Sequence, residues 1–153
     1  MKRSVANKKI LVICSGNLCR SPYGEYKLKD LLPEFTIHSA GLDVERKRLS
    51  GKRADAVAVR VADEFQIDLR RHRAKQLTGE MVEQHDVLLV MDKQHMAAIC
   101  DCFPNMSDKV FMFTECIDSS CIEDPYKRGD LSFRLAFNQI DDAAEAWMRH
   151  WLC

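Results

Sequence analysis

A cysteine and an arginine stand with five residues between them in one short string, Cys14-Ser15-Gly16-Asn17-Leu18-Cys19-Arg20-Ser21-Pro22. The apolar run Ile10-Leu11-Val12-Ile13 precedes it, and a segment of helical character follows. The order reads as strand, tight anion-binding loop and helix N-terminus. A helix N-terminus presents unpaired N–H groups and partial positive charge, so it binds phosphate-like anions. A short loop entering it can curl its amides inward as a nest, here supplied by Ser15, Gly16, Asn17, Leu18 and Cys19. Gly16 permits positive φ and Asn17 tolerates the left-handed region. Ser21 suits the N-cap and Pro22 the first helical position.

A thiol at a helix N-terminus beside a cation is held as thiolate, the form that attacks phosphorus. Cys14 is therefore the candidate nucleophile. Arg20 is the candidate to grip two phosphate oxygens at once, and with the loop amides it neutralises charge on the transferring group. The Ser21 hydroxyl can hydrogen-bond the sulfur and help it leave in a second step. This chemistry calls for no metal and no cofactor. A bare Cys-x5-Arg is common by chance, and a small buried cysteine near a surface arginine is its bland reading. The full string after an apolar strand is far more specific. Expelling a poor oxygen leaving group from phosphorus is slow without an acid. Asp124, in Asp124-Pro125-Tyr126, is the candidate general acid, with Tyr126 as an aromatic wall. Alone, an Asp before a Pro usually marks only a turn.

Taken together, the cysteine string resembles the signature of the low-molecular-weight protein-tyrosine phosphatases. Asp124-Pro125-Tyr126 resembles that family's general-acid motif, and Ser39-Ala40-Gly41, His72-Arg73-Ala74 and Val90-Met91-Asp92 match further landmarks. The resemblance runs from Lys9 to Trp151. It is strongest to bacterial members that act on tyrosine kinases of capsule and exopolysaccharide export. It implies a three-layer α/β domain, with a four-stranded parallel sheet of order 2-1-3-4 and the phosphate loop after the first strand. It also implies phosphotyrosine hydrolysis through a phosphocysteine, and a hydrogen-bonded support of the loop by Asn17, Ser39 and His72. The implied partner is an autophosphorylated bacterial tyrosine kinase, met by a monomer or weak dimer.

The 153 residues suit one domain, expected over 9–153 behind a flexible tail at 1–8. A formal net charge of zero argues against a nucleic-acid binder. Charge is uneven, however. Arg46, Lys47, Arg48, Lys52 and Arg53 form one basic cluster, and Arg70, Arg71, Arg73 and Lys75 another. They read either as solvated surface or as a field that draws phosphorylated substrates. No apolar run is long enough to span a membrane, and the basic start lacks a signal-peptide core. Seven cysteines, an odd number without a disulfide pattern, point to a reducing cytoplasm. Cys19, in the same loop as Cys14, is either packing or a partner for a protective disulfide. The other five cysteines lack zinc spacing.

Strands are expected at 9–13, 35–39, 86–91 and 109–113, alternating with helices at 21–32, 54–65, 78–84, 93–100 and 131–151. Such alternation gives a parallel sheet with right-handed crossovers and a site beyond the carboxyl ends of the strands. The polar loop from Leu42 to Arg53 should wall the cleft, with Leu42 and Leu49 offered to a substrate ring. The rival enzyme, arsenate reductase of the same fold, needs relay cysteines. Leu88 to Asp92 contains none, and Met91 holds roughly that place. A non-catalytic phosphotyrosine-binding module would be expected to lose Cys14 or Asp124.

Overall fold

The computed structural model describes residues 7–152. Of the tail expected at 1–8, residues 1–6 lie outside that range, as does Cys153. Four parallel strands, β1 (Lys9–Cys14), β2 (Thr36–Gly41), β3 (Val87–Val90) and β4 (Val110–Met112), form one sheet in the order β2-β1-β3-β4. β1 is buried from Ile10 to Cys14 because helices cover both of its faces. The register pairs Cys14 with Gly41 and Ile13 with Val90. The carboxyl ends of β1, β2 and β3 therefore meet at one edge.

α1 (Arg20–Leu31), α2 (Ala56–Glu64) and α5 (Asp130–Leu152) pack on one face with Ile10, Val12 and Leu89. α3 (Gly79–Gln84) and α4 (Lys93–Cys102) cover the other face with Leu11, Ile13, Leu88 and Val90. The stripe Phe133, Phe137, Ile140, Ala144 and Trp147 is buried, as its helical spacing requires. Tyr23 of α1 stacks on Phe137 of α5 at 3.9 Å between ring centroids. Its hydroxyl donates to Asp141 Oδ1 at 2.6 Å. Trp147 Nε1 donates to the Phe113 carbonyl at 2.8 Å, tying α5 to the end of β4.

Several boundaries move for identifiable reasons. Asp55 caps α2 by accepting from the Val57 and Ala58 amides, so that helix starts at Ala56 rather than Ala54. β2 continues past Ser39 to Gly41 because its last residues pair with Val12 to Cys14. A 3-10 segment, Pro104–Lys109, links α4 to β4. Ser21 is not the N-cap of α1. The helix begins at Arg20, the cap position is Cys19, and no side chain closes it. Pro22 still lies in the first turn, where amides lack helical partners. Among the described residues no helix is long and apolar enough to cross a membrane.

Candidate active site

The segment after β1 is held by its carbonyls. Those of Cys14, Ser15 and Leu18 accept from the amides of Leu42, Asp43 and Asp55 at 3.0, 2.9 and 3.0 Å. The Asn17 carbonyl accepts from His72 Nε2 at 2.6 Å. By contrast, among the described residues the amides of 15–21 donate to no other group of the chain. A row of unengaged N–H groups thus sits at a helix N-terminus beside Cys14, which is buried. That is the physical definition of an anion site.

Asn17, not Gly16, takes the left-handed conformation, with φ of 56°. Gly16 serves by lacking a side chain: a Cβ there would lie 3.2 Å from Leu49 Cδ1. The Asn17 side chain explains the strained backbone. Its Nδ2 donates to Ser21 Oγ at 2.8 Å and to Ser39 Oγ at 3.0 Å, and its Oδ1 accepts from the Lys75 amide at 3.0 Å. Gly41 is required by proximity. A Cβ there would meet Ser15 O at 2.6 Å and Asn17 N at 3.0 Å.

Proton directions follow from these partners. Ser21 Oγ accepts from Asn17, so its own hydrogen is free for Cys14 Sγ, 2.9 Å away. Ser39 Oγ likewise accepts from Asn17 and donates to Glu25 Oε1 at 2.5 Å. Glu25 is buried and paired with Lys29 at 2.7 Å. The loop is therefore braced from Cys14 through Ser21, Asn17 and Ser39 to a fixed carboxylate. Glu25 was not anticipated. Its signal was present, since Ser21 and Glu25 are four apart and share one helix face.

Arg20 is buried, with Nη1 donating to the Ile122 carbonyl at 2.8 Å and lying 3.6 Å from Asp92 Oδ2. Nη2 lies 3.9 Å from Asp124 Oδ2. Asp92 caps α4 by accepting from the His95 amide at 2.9 Å. It also braces the guanidinium, which sequence reasoning missed. His95 was missed too. It is buried, its Nε2 pairs with Ser15 Oγ at 2.8 Å, and burial pushes its pKa down.

Cys14, Arg20, Asp124 and Tyr126 share one cavity of about 260 Å³ with Ser15, Gly16, Leu18, Cys19 and Leu49. Lys47 also lines it, a residue read from sequence only as part of a basic cluster. Asn17, Ser39 and His72 lie beneath, all buried. Leu42, expected on the cleft wall, is not in that lining. It is half-buried, packs against the cluster of Leu11 and Val90, and lines an adjoining cavity of about 340 Å³ with Ser15, Arg20 and Asp124. Asp124 lies at the half-exposed rim, where its Oδ1 accepts the Tyr126 amide at 3.1 Å. Burial pushes the Cys19 thiol pKa strongly up, so it stays protonated beside Cys14.

Comparison with known proteins agrees with this arrangement. Residues 9–151 match the family model described as low molecular weight phosphotyrosine protein phosphatase. The chain is 41% identical to the probable low molecular weight protein-tyrosine-phosphatase AmsI of Erwinia amylovora, covering 91% of this chain and 94% of that one. It is 38% identical to the low molecular weight protein-tyrosine-phosphatase Wzb of Salmonella typhi, covering 91% of both. The solved structure of Vibrio vulnificus Wzb in complex with benzylphosphonate superposes with a TM-score of 0.90 at 43% identity, over 94% of this chain and 98% of that one. The chain belongs to the low molecular weight phosphotyrosine protein phosphatases.

Proposed function

We propose that this protein hydrolyses phosphotyrosine in two steps through a phosphocysteine on Cys14. The observation that carries the reading is the row of unengaged amides at 15–21 around a thiol, with Arg20 beside it. In the first step Cys14 Sγ attacks phosphorus as the bond to the tyrosine oxygen breaks, and Asp124 gives that oxygen a proton. Arg20 Nη1 stays on the Ile122 carbonyl, leaving Nε and Nη2 for two equatorial oxygens. In the second step Asp124 takes a proton from water as its oxygen attacks phosphorus. The S–P bond breaks, the Ser21 hydroxyl stabilises the departing thiolate, and phosphate leaves. The amides and Arg20 balance the charge, so no metal is needed. Leu49 and Tyr126 flank the aromatic ring of the substrate.

The substrate we assign is an autophosphorylated bacterial tyrosine kinase governing polysaccharide export, met in the cytoplasm. Support comes from the bacterial character of the signature set and from likeness to the Wzb and AmsI phosphatases. The test is hydrolysis of p-nitrophenyl phosphate, in chelator and reductant, by wild type and Cys14→Ser. Turnover lost in the variant supports the reading. A wild type without turnover, or a variant that keeps it, overturns it.

A further inference from the structure

The two basic segments are far apart in sequence and adjacent in space. Arg53 and Arg73 form an antiparallel backbone bridge. Gly51 N donates to Ala74 O, and Ala74 N donates to Lys52 O, both at 2.8 Å. Backbone pairing thus clamps the segments 46–53 and 70–75 into one surface. Their lysines and arginines are exposed. Among the described residues only Arg46, with Asp43 at 3.2 Å, and Arg70, with Asp68 at 2.9 Å, form ion pairs there. Lys47, Lys52, Arg53 and Lys75 have none among the described residues. The chain as a whole has a formal net charge of zero, so this concentration of one sign is local. It is also continuous with the cleft, because Lys47 and Leu49 line the Cys14 cavity.

We infer that this surface docks an anionic stretch of the same chain whose phosphotyrosine enters the cleft. The inference rests on the phosphotyrosine reading above. The recognised chemistry is negative charge near the scissile residue, supplied by acidic side chains or by a second phosphotyrosine. The surface acts at a range set by salt, about 10 Å at 0.1 M. It raises encounter and retention of such chains without touching the reacting atoms. Charge complementarity beside a cleft selective for phosphotyrosine favours a peptide over other polyanions.

Three phosphotyrosine peptides test it, flanked by neutral residues, by Asp and Glu, or by a second phosphotyrosine. At low salt, wild-type kcat/KM is expected to be roughly tenfold higher for the anionic peptides. Salt of about 0.5 M should erase most of that gap. The double variant K52E/R53E should lose the preference while p-nitrophenyl phosphate hydrolysis stays within about twofold. K52Q/R53Q serves if the reversal misfolds, and the salt titration needs no variant. Preference for both anionic peptides assigns recognition to charge alone, and preference for the doubly phosphorylated one assigns it to phosphate. Equal kcat/KM for all three peptides at low salt overturns the inference. So does a preference that survives K52E/R53E, or an oligonucleotide that competes as well as the acidic peptide. Failure of wild type on p-nitrophenyl phosphate is a different result, which removes the phosphatase reading and this surface's role with it.

Discussion

Ser21 Oγ lies 2.9 Å from Cys14 Sγ while accepting a hydrogen bond from Asn17 Nδ2 at 2.8 Å. The serine hydrogen therefore points to the sulfur, where the proposed mechanism uses it to stabilise the departing thiolate, and Ser21 does not cap α1. A hydrogen bond to a charged group contributes about 1.5–3 kcal/mol. Ser21→Ala is expected to lower kcat roughly tenfold to a hundredfold. Breakdown of the phosphocysteine becomes slow, so rapid mixing should show a burst of nitrophenol before the steady state. Unchanged kcat would remove Ser21 from the second step.

Asp124 faces Arg20 across the cavity mouth, at 3.9 Å. Its proposed task depends on how poor the leaving group is. Asp124→Ala should slow phosphotyrosine cleavage by about 10²–10⁴. Hydrolysis of an aryl phosphate with an acidic nitrophenol leaving group should fall much less, measured as kcat/KM side by side. Equal losses on the two substrates would sink its role as acid.

Gly41 supports the loop from outside. Because a Cβ at this position would press on the backbone of Ser15 and Asn17, relief requires moving the loop itself. Gly41→Ala should cost about 1–3 kcal/mol of stability. It should also reduce kcat/KM roughly a hundredfold, the effect of a displacement near 1 Å. Denaturant melts and steady-state kinetics check both. A variant with wild-type kinetics would show that the loop tolerates displacement.

Acid should destabilise the fold through its histidines. Burial is the first cause lowering the pKa of His38, His72, His85 and His95. The unfolded chain then binds protons more readily, so stability rises with pH across the window. The contribution is complete above the ordinary value of 6.5 and is lost as pH falls below it. His38 and His85 share a hydrogen bond of 2.9 Å that two imidazolium rings could not keep. Tm is expected to drop by roughly 5 °C from pH 7 to pH 5, with a shallower slope in His38→Gln. A Tm that is flat or rises on acidification contradicts this.

Local chemistry made the centre of the site legible. The apolar run before Cys14 and the anion-loop residue types carry their meaning within a few residues, whereas the Asp-Pro-Tyr string gains its meaning only beside the cysteine loop. The sheet order was legible through the family resemblance, and the helix stripes through their own periodicity. What escaped depends on contacts across the chain. Glu25 matters only because Ser39 comes to it from β2. Asp92 and His95 matter because β3 delivers them beside Arg20 and Ser15. Leu42 is an apolar residue in a polar loop, and only the fold shows that it lies half-buried beside the Cys14 cavity, lining the adjoining one with Ser15, Arg20 and Asp124. Ser21 has the right chemistry for a cap, but the helix begins one residue earlier, at Arg20, and places the Ser21 hydroxyl against Cys14 and Asn17 instead.

The most direct measurement is to trap the intermediate. Wild type and Cys14→Ser would be mixed with excess phosphotyrosine peptide, quenched in acid within the first turnover, digested and weighed by mass spectrometry. The account predicts one phosphate on the peptide containing Cys14 in the wild type, with Ser21→Ala accumulating more of it. Turnover with no phosphate on that peptide in either enzyme, or with phosphate on another residue, would contradict it.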